Sequence, residues 1–378
     1  MSRFVIACGG TGGHLAPGIA IAEQLTRRGH ECLLLVSRKG VDERLSAKYS
    51  DLRFVRSPGV GMSSLNPIRF AAFCLSQIQA VIFAFKLLRE RPAAVVAFGG
   101  FTSAGVVLAA FIRRIPVALH EANRNPGRAI RVLRHFACRV YMPDGVRLEG
   151  IPMTSVRYLG YPVRSEIRRS PRQEARKAFG FGPIGKLLVV LGGSQGASAL
   201  NNWAVVNSKA LCTNGISVCC ISGPDKDVPE DFEMPDNMGG MAKVRFIPFC
   251  DQMSLLLSAA DLAVSRAGAG SIAELIECSV PSILVPFPFA ADNHQQANAS
   301  YAEQQGCCIL VDQTRVDGLL AEVLDLIYSD WLLERMGFNL EQARRPDCAE
   351  QTALDIIELG KGSERGLGTE TTAQESHI

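Results

Sequence analysis

The fold is decided by the stretch Cys8-Gly9-Gly10-Thr11-Gly12-Gly13-His14, which follows the apolar run Phe4–Ala7. A second version, Gly192-Gly193-Ser194-Gln195-Gly196-Ala197, follows Leu187–Leu191 near the middle of the chain. Glycine lets the backbone adopt positive φ and approach a ligand closely, and the N-terminus of a following helix offers unpaired N–H groups. Two strand–loop–helix units of this kind predict two α/β domains that face a cleft and hold a phosphate or diphosphate between them.

The composition indicates a folded protein with two domains. The chain has 378 residues, of which 47% are hydrophobic and 20% charged. Its net charge of +3 is too small to indicate a nucleic-acid partner. The 12 cysteines include no Cys-x-x-Cys pair, and Met1-Ser2-Arg3 leads directly into the first strand. We therefore expect free thiols in a reducing cytoplasm and no structural zinc.

Short apolar runs alternate with helical stretches along the whole chain, which predicts parallel sheets covered by helices. The predicted strands are Phe4–Ala7, Cys32–Val36, Ala94–Phe98, Val117–His120, Arg139–Tyr141, Leu187–Leu191, Ser217–Ser222, Lys243–Ile247, Leu262–Ser265, Ser282–Val285 and Cys307–Val311. Helices are expected to begin near Pro17 and near Ala199 after the two glycine loops. All glycine loops then fall at the carboxyl ends of strands, where such sheets bind their ligands.

One segment, Ala93–Ile112, contains no charged residue and is long enough to span a bilayer. Gly99, Gly100 and Gly105 interrupt it. We therefore predict a strand, a third glycine loop and a helix instead of a membrane span.

Competing nucleotide motifs are absent from the sequence. It contains no G-x-x-x-x-G-K-[ST] loop, and the first glycine loop lacks the G-x-G-x-x-G spacing of dinucleotide-binding proteins. The pair Asp225 and Asp227 resembles a metal-binding pair of some sugar transferases, but it lies in a proline-flanked turn, so we expect no bound metal.

The stretch Ser265-Arg266-Ala267-Gly268-Ala269-Gly270-Ser271-Ile272-Ala273-Glu274 carries the clearest chemistry. We expect a helix to begin at about Ser271, with its N-terminus toward a diphosphate. Glu274, near the end of the first turn, could accept hydrogen bonds from two ribose hydroxyls. The alternative is that Glu274 only complements the helix dipole.

A second polar stretch follows the next strand. Pro286-Phe287-Pro288 precedes Asp292-Asn293-His294-Gln295-Gln296-Ala297-Asn298. Side-chain amides and a carboxylate at the end of a strand are suited to binding sugar hydroxyls. The alternative is a polar surface loop that caps a helix.

These motifs resemble those of the MurG family, the bacterial UDP-N-acetylglucosamine–N-acetylmuramyl-(pentapeptide) pyrophosphoryl-undecaprenol N-acetylglucosamine transferases. The resemblance extends from about Phe4 to Leu359 and is highly specific in its order and spacing. It rests on Gly9–His14, Phe98-Gly99-Gly100, His120-Glu121-Ala122-Asn123, Pro162-Val163-Arg164, Gly192–Ala197, Ser265–Glu274 and Gln295-Gln296. It implies the GT-B glycosyltransferase fold, with two Rossmann-like domains.

The implied domains are an acceptor and membrane-side domain at residues 1–161, joined by a C-terminal helix at about 340–359, and a UDP-sugar-binding domain at 162–339. The tail at 360–378, rich in Gly, Ser, Thr and Glu, is expected to be disordered.

The resemblance implies a set of substrate-binding residues. In the first domain Thr11, Gly12 and Gly13 line the donor site and Asn123 lies near the sugar. Arg164 and Ser194 contact the diphosphate, and the backbone of Cys250 binds the uracil. The phosphate and ribose contact Ala269, Gly270, Ser271, Ile272, Ala273 and Glu274, and the N-acetylglucosamine contacts Gln295 and Gln296. Phe101, Tyr161 and Cys250 depart from the residues usual in the family.

The implied reaction transfers N-acetylglucosamine from UDP-N-acetylglucosamine to the C4 hydroxyl of lipid I, with inversion, giving lipid II for peptidoglycan synthesis. His14 is the best candidate base, because its ordinary pKa lies near the working pH; Glu121 and His120 are rivals, and a structural role for His14 remains open. Arg164, Ser194 and a helix N-terminus can meet the leaving charge, so neither metal nor cofactor is expected.

A lipid acceptor implies membrane contact, so we expect a peripheral enzyme on the cytoplasmic face of the plasma membrane. Apolar residues recur at helical spacing in a segment that we expect to be too short to span a bilayer: Phe70, Phe73, Ile78, Val81, Ile82 and Phe85, preceded by the loop Gly59-Val60-Gly61-Met62. A basic stripe is predicted on one helix face, formed by Arg124, Arg128, Arg131 and Arg134. Such a stripe suits an anionic membrane surface. A core helix and a solvated helix face are the alternatives.

Three other functions stay open. The first is a GT-B transferase acting on a different lipid, such as a diacylglycerol or sterol. The second is a UDP-N-acetylglucosamine 2-epimerase, which shares the fold and needs no lipid. The third is a non-catalytic nucleotide-sugar-binding subunit.

Overall fold

The computed structural model describes residues 1–10, 12–37, 40–59, 66–193, 197–224, 226 and 229–372. The chain divides into two compact units. The first unit comprises Met1–Arg164 together with the segment from Arg345 onward, and the second comprises Ser165–Arg344.

The first unit contains a seven-stranded sheet in which all pairs are parallel. Its strands are β1 (Arg3–Ala7), β2 (Glu31–Val36), β3 (Arg53–Arg56), β4 (Ala94–Ala97), β5 (Val117–His120), β6 (Arg139–Tyr141) and β7 (Val156–Arg157). The strand order is β3-β2-β1-β4-β5-β6-β7. Alternate residues enter separate cores: Val5 and Ala7 pack on one face of the sheet, and Phe4 and Ile6 on the other.

The helices of this unit cover both faces of the sheet. They are α1 (Gly12–Arg27), α2 (Gly40–Ala47), α3 (Pro67–Leu87), α4 (Phe101–Ile112) and α5 (Arg128–Leu133). The prediction for Ala93–Ile112 is confirmed, because β4 and α4 are separated by the third glycine loop.

Helix α1 begins at Gly12, five residues before the predicted start near Pro17. Proline favours the first turn of a helix because it has no N–H to donate. Here Pro17 lies inside α1 and leaves the carbonyl of Gly13, four residues earlier, without its helical donor. The hydroxyl of Tyr161 donates to that carbonyl at 3.2 Å. A residue distant in sequence therefore satisfies the group that the proline leaves open.

Helix α3 corrects the expectation that its segment is too short to cross a bilayer. It has 21 residues, and Ala71–Glu90 is apolar enough to span a membrane by length and composition alone. Only 22% of that stretch is buried within the protein. The sequence prediction took Arg69 and Lys86 as the ends of the segment, whereas the apolar stretch continues past Lys86.

The second unit also contains a seven-stranded sheet. Its strands are β8 (Lys186–Leu191), β9 (Ile216–Ile221), β10 (Phe232–Pro235), β11 (Met241–Ile247), β12 (Leu262–Ser265), β13 (Ser282–Leu284) and β14 (Cys308–Leu310). The order is β10-β11-β9-β8-β12-β13-β14, and every pair is parallel except the antiparallel β10–β11 pair. Its helices are α6 (Arg172–Ala178), α7 (Ser198–Thr213), α8 (Met253–Ala259), α9 (Ala269–Glu277), α10 (His294–Gln304), α11 (Leu319–Ile327) and α12 (Asp330–Ala343).

The C-terminal helix α13 (Cys348–Thr372) packs on the first unit. Its Asp355 accepts a hydrogen bond from the Tyr141 hydroxyl at 2.7 Å and pairs with Arg139 at 2.9 Å. The sequence predicted disorder from Gly360, whereas α13 continues to Thr372. Once a packed segment has nucleated a helix, each further residue adds one hydrogen bond, so polar residues can extend it. Residues 373–378 lie outside the described part of the chain.

Candidate functional site

The glycine loops of the first unit lie at the carboxyl ends of β1 and β4. A Cβ atom at Gly9 would lie 2.3 Å from the backbone nitrogen of Ser37, so only glycine fits beside the end of β2. Gly10 and Gly100 adopt positive φ, at 120° and 72°. Thr11, predicted to line this site, lies outside the described residues.

His14 occupies the first turn of α1 and is partly exposed. A Cβ atom at Gly100 would lie 3.5 Å from Cε1 of the His14 ring, so this glycine lies against the imidazole. The first and third glycine loops therefore meet at His14. His14 stays partly exposed at this position.

His120, at the end of β5, is only 2% exposed. Its ring is surrounded by those of Phe98, Tyr141 and Tyr161, with centroid distances of 5.0, 6.2 and 6.2 Å. Burial, and then the nearby charge of His14, lowers the pKa of His120 to about 3. A neutral, enclosed imidazole is a poor base, so this geometry favours His14 over His120.

Glu121 is also buried, at 5% exposure, and it binds its own loop. One carboxylate oxygen accepts from the backbone and side-chain nitrogens of Asn123 at 2.8 and 3.2 Å, and the other accepts from the backbone nitrogen of Gly127 at 2.7 Å. Burial raises the pKa of Glu121, and these hydrogen bonds oppose the rise. The contacts favour holding the loop and orienting Asn123 over the catalytic role predicted for Glu121.

The predicted arginine stripe is wrong in part. Helix α5 begins at Arg128, because Pro126 and Gly127 precede it, so Arg124 belongs to the loop. The Arg124 guanidinium donates to the carbonyl of Asp144 at 3.1 Å. Arg128 and Arg131 are exposed on α5, and Arg134 belongs to the 3-10 turn that follows.

Arg164 belongs to the first unit, at its boundary. Its Nη1 donates to the hydroxyl of Tyr49 at 3.4 Å. The side chain is partly buried. Within the first unit, the structure gives this arginine an aromatic neighbour that the sequence did not predict.

In the second unit, two buried side chains connect the loops that follow β12 and β13. Arg266 donates to the carbonyls of Val285 and Pro286 at 3.0 and 3.1 Å and to the amide oxygen of Gln313 at 2.5 Å. Asn298, on α10, donates to the carbonyl of Ala267 at 3.2 Å. These bonds hold the β12–α9 and β13–α10 loops in one arrangement.

Arg266 and Asn298 had no assigned role in the sequence, although both lie within the quoted motifs. The signal that could have identified them is a polar side chain beside a buried strand, because such a group needs a partner.

Helix α9 begins at Ala269, two residues before the predicted start, and Gly268 precedes it with extended backbone. Glu274 is thus the sixth residue of the helix and not a first-turn residue. Dipole effects decline within the first turn, so the alternative role of Glu274 as a dipole partner is weakened. Residues 268–274 are all partly exposed, so the helix N-terminus and Glu274 are accessible to a ligand.

The amide residues predicted to bind sugar lie in the first turn of α10. The side-chain oxygen of Gln295 accepts from the backbone nitrogen of Phe287 at 2.9 Å, and Nε2 of Gln296 is 3.5 Å from the hydroxyl of Ser300. Asp292 and Asn293, just before them, both adopt left-handed backbone, with φ of 50° and 53°. Consecutive non-glycine residues of this kind are strained and occur mainly at functional sites.

The remaining predicted residues follow neighbouring strands of the same parallel sheet. Cys250 is partly exposed, three residues after β11 ends. Gly193, after β8, has a φ of 79°, and Ser194 lies outside the described residues. Because β8, β9, β11, β12 and β13 are parallel, all these positions lie at one edge of the sheet.

Within the described part of the chain, no three His, Cys, Asp or Glu residues form a group that could hold a metal ion. Asp225 and Asp227, the carboxylate pair noted in the sequence, lie outside the described part of the chain.

Comparison with known proteins gives matches across both units. Residues 4–142 match the model of the glycosyltransferase family 28 N-terminal domain, and residues 187–352 match that of the family 28 C-terminal domain. A relative from Opitutus terrae, named UDP-N-acetylglucosamine–N-acetylmuramyl-(pentapeptide) pyrophosphoryl-undecaprenol N-acetylglucosamine transferase, is 53% identical over 98% of this chain and 99% of its own. A relative of the same name from Parasynechococcus marenigrum is 38% identical over 83% of this chain and 84% of its own.

Two solved structures share the fold. The crystal structure of Acinetobacter baumannii MurG matches with a TM-score of 0.69 and 24% identity, covering 94% of this chain and 99% of that one. A UDP-GlcNAc 2-epimerase from Neisseria meningitidis matches with a TM-score of 0.64 and 14% identity, covering 95% of this chain and 100% of that one. At these identities the likeness concerns the fold alone.

Proposed function

We propose, because the chain belongs to glycosyltransferase family 28 and within it to the MurG family of N-acetylglucosamine transferases, that it converts lipid I to lipid II. N-acetylglucosamine moves from UDP-N-acetylglucosamine to the C4 hydroxyl of the N-acetylmuramyl group, with inversion. The main support for this proposal is the 53% identity to the Opitutus terrae relative. The identity extends over both units and is not confined to a nucleotide-binding unit.

The second unit supplies the donor site in this proposal. The N-terminus of α9 offers unpaired N–H groups and a partial positive charge to the diphosphate. Glu274, accessible in the second turn, accepts hydrogen bonds from the ribose hydroxyls, and the Cys250 backbone holds the uracil. Gln295 and Gln296 contact the sugar. Support comes from the Arg266 and Asn298 bonds, which keep the two loops in a fixed arrangement before a ligand arrives.

The first unit supplies the proton chemistry. His14 takes the proton of the acceptor C4 hydroxyl as that oxygen forms a bond to C1 of the donor sugar. The bond from C1 to the β-phosphate oxygen breaks, and UDP leaves with the bonding electrons. His14 is favoured because it is accessible, whereas His120 is enclosed and Glu121 is bound to its loop.

The leaving diphosphate carries negative charge that must be stabilised. The α9 N-terminus, Arg164 and Ser194 are the proposed partners, with Thr11, Gly12, Gly13 and Asn123 completing the site from the first unit. These groups can meet the charge without a cation, so the proposal includes neither a metal nor a cofactor.

Contact with the membrane is proposed through an exposed apolar surface of the first unit. We call it the α3–α4 surface; it consists of Leu75, Ile78 and Ile82 on α3 and Leu108, Phe111 and Ile112 on α4. Five of these side chains are 52–57% exposed, and Leu108 is 37% exposed. Helices α3 and α4 pack closely, because a Cβ atom at Gly105 would lie 3.0 Å from the backbone of Ala80. Apolar patches of this extent mark interaction sites.

Basic residues accompany the α3–α4 surface. Arg69, Lys86 and Arg114 are exposed at or near the ends of α3 and α4, and Arg128 and Arg131 are exposed on α5, which packs on α4. Cations near an apolar surface attract anionic lipid headgroups. We therefore propose peripheral attachment to the cytoplasmic face of the plasma membrane, where the lipid acceptor is available.

The test is transfer of radiolabelled N-acetylglucosamine from its UDP donor by the purified full-length chain, with and without lipid I. Label in the lipid fraction only when lipid I is present supports the proposal, and EDTA should leave the rate unchanged. Label in another lipid acceptor would indicate a different transferase, and a free epimerised sugar nucleotide would indicate an epimerase. Donor binding without any product would indicate a binding subunit.

A further inference from the structure

Two phenylalanines lie in the loop between β13 and α10. Phe287 is 41% exposed and Phe289 is 83% exposed, and their rings meet edge to face with centroids 5.7 Å apart. An aromatic side chain as exposed as Phe289 contributes little to the packing of its own unit. Its exposure therefore raises the question of what it contacts.

The loop that carries Phe289 is held in place. The backbone nitrogen of Phe287 donates to the Gln295 side chain at 2.9 Å, and that of Ala290 donates to the Phe287 carbonyl at 3.1 Å. The guanidinium of the buried Arg266 lies 5.5 Å from the centroid of the Phe287 ring. The strained backbone of Asp292 and Asn293 follows directly.

These contacts give the two rings different roles. Phe287 contacts both the Arg266 guanidinium and the Phe289 ring, and it is only half as exposed as Phe289. Phe289 has one ring contact among the described residues, the one with Phe287. The Phe289 ring is therefore exposed on a loop that is held in place. Its contact with Phe287 links it to Gln295, which accepts a hydrogen bond from the Phe287 backbone.

We propose that Phe289 is the platform for the apolar face of the donor sugar. A pyranose ring has hydroxyl groups along its edge and C–H groups on its face, and the π-electron density of an aromatic ring attracts C–H hydrogens. Gln295 would bind the hydroxyl edge while Phe289 contacts the face. This inference rests on the proposed function, because it assigns a sugar-positioning residue within the proposed donor site.

The experiment compares Phe289→Ser with the parent chain by calorimetric titration with UDP-N-acetylglucosamine and, separately, with UDP. Partial burial of one phenylalanine ring predicts a five- to tenfold weaker Kd for the sugar nucleotide, which corresponds to about 1–1.4 kcal/mol. The Kd for UDP should stay within about twofold, because UDP has no sugar to contact the ring. Phe289→Tyr keeps the ring and should retain parent affinity. Val206→Ser, at an exposed residue of α7, is the matched control and should change neither constant.

Three results would overturn the assignment. Unchanged affinity of Phe289→Ser for UDP-N-acetylglucosamine would remove the sugar contact, and an equal loss for UDP and its sugar conjugate would mean that the residue only shapes the loop. Weaker sedimentation with lipid vesicles at unchanged nucleotide affinity would make Phe289 a membrane residue. Failure of the parent chain to bind UDP-N-acetylglucosamine would instead contradict the proposed function itself.

Discussion

Replacing Glu121 by alanine separates the two roles considered for this carboxylate. The structure gives Glu121 three hydrogen bonds, two from Asn123 and one from Gly127, at a side chain that is 5% exposed. Hydrogen bonds to a charged group contribute about 1.5–3 kcal/mol, and a buried N–H that loses its acceptor costs about 1–3 kcal/mol. Counting two backbone N–H groups, we expect Glu121→Ala to lower the free energy of unfolding by about 3–6 kcal/mol.

A loss of this size is measurable by calorimetry. For a domain of about 150–250 residues, 1 kcal/mol shifts the Tm by about 2–4 °C, so Glu121→Ala should lower the Tm of the first unit by about 6–24 °C. Glu121→Gln keeps one acceptor oxygen but presents its NH2 group to either Asn123 or Gly127. Its Tm should therefore fall by about half as much as that of Glu121→Ala. Glu149→Ala, at an exposed glutamate of the same unit, is the control and should leave the Tm unchanged.

Activity then decides between the roles. If Glu121 holds the loop, Glu121→Gln assayed well below its Tm should keep its kcat within about tenfold of the parent, with the same pH profile. A general base contributes about 10²–10⁴-fold. An unchanged Tm together with a kcat loss in that range and a displaced acid limb of the pH profile would refute the loop-holding role and make Glu121 the base.

Three further variants test the remaining assignments. Glu274→Ala should weaken UDP binding in calorimetric titration by about tenfold or more, the value of one charge-assisted bond, and an unchanged Kd would exclude the ribose contact. His14→Ala should lower kcat by about 10²–10⁴-fold with little change in the Kd of UDP; retention of more than about a tenth of the activity would remove the residue from proton transfer. Changing Arg128 and Arg131 together to Ser should weaken the free energy of binding to anionic vesicles by about 2 kcal/mol at low salt, and by less as the salt concentration rises. Co-sedimentation with the vesicles measures this binding. Arg335→Ser, on the exposed face of α12, is its control, and equal sedimentation of the double variant and parent would leave the α3–α4 surface as the attachment site.

Most of the strands that the sequence predicted are apolar runs buried on both faces, as in β1 and β8. Such runs need no tertiary information to be recognised. The missed strands β3, β7 and β10 lie at sheet edges, are short and contain charged residues. Only the strand beside them defines these segments as strands, so the local sequence could not reveal them.

The predicted helix starts were wrong for a related reason. Pro17 is a local sign of a helix N-terminus, and the sequence could not show that the Tyr161 hydroxyl reaches the carbonyl that Pro17 leaves open. The loop contacts of Glu121 were hidden in the same way, and its catalytic role stays a prediction that the variants above test. Its actual partners are backbone N–H groups, which every residue except proline carries and which therefore leave no trace in the sequence.

The two units place different kinds of side chain beside the same strand–glycine loop–helix arrangement. In the first unit the loops bring titratable side chains together, with His14 beside the buried, neutral His120. In the second unit the corresponding loops contain the α9 N-terminus, Glu274 and side-chain amides, and the buried Arg266 donates to carbonyls and to Gln313. Proton transfer should therefore depend on the first unit and nucleotide affinity on the second. Variants in the first unit should change kcat and its pH dependence, whereas variants in the second should change the Kd of the donor.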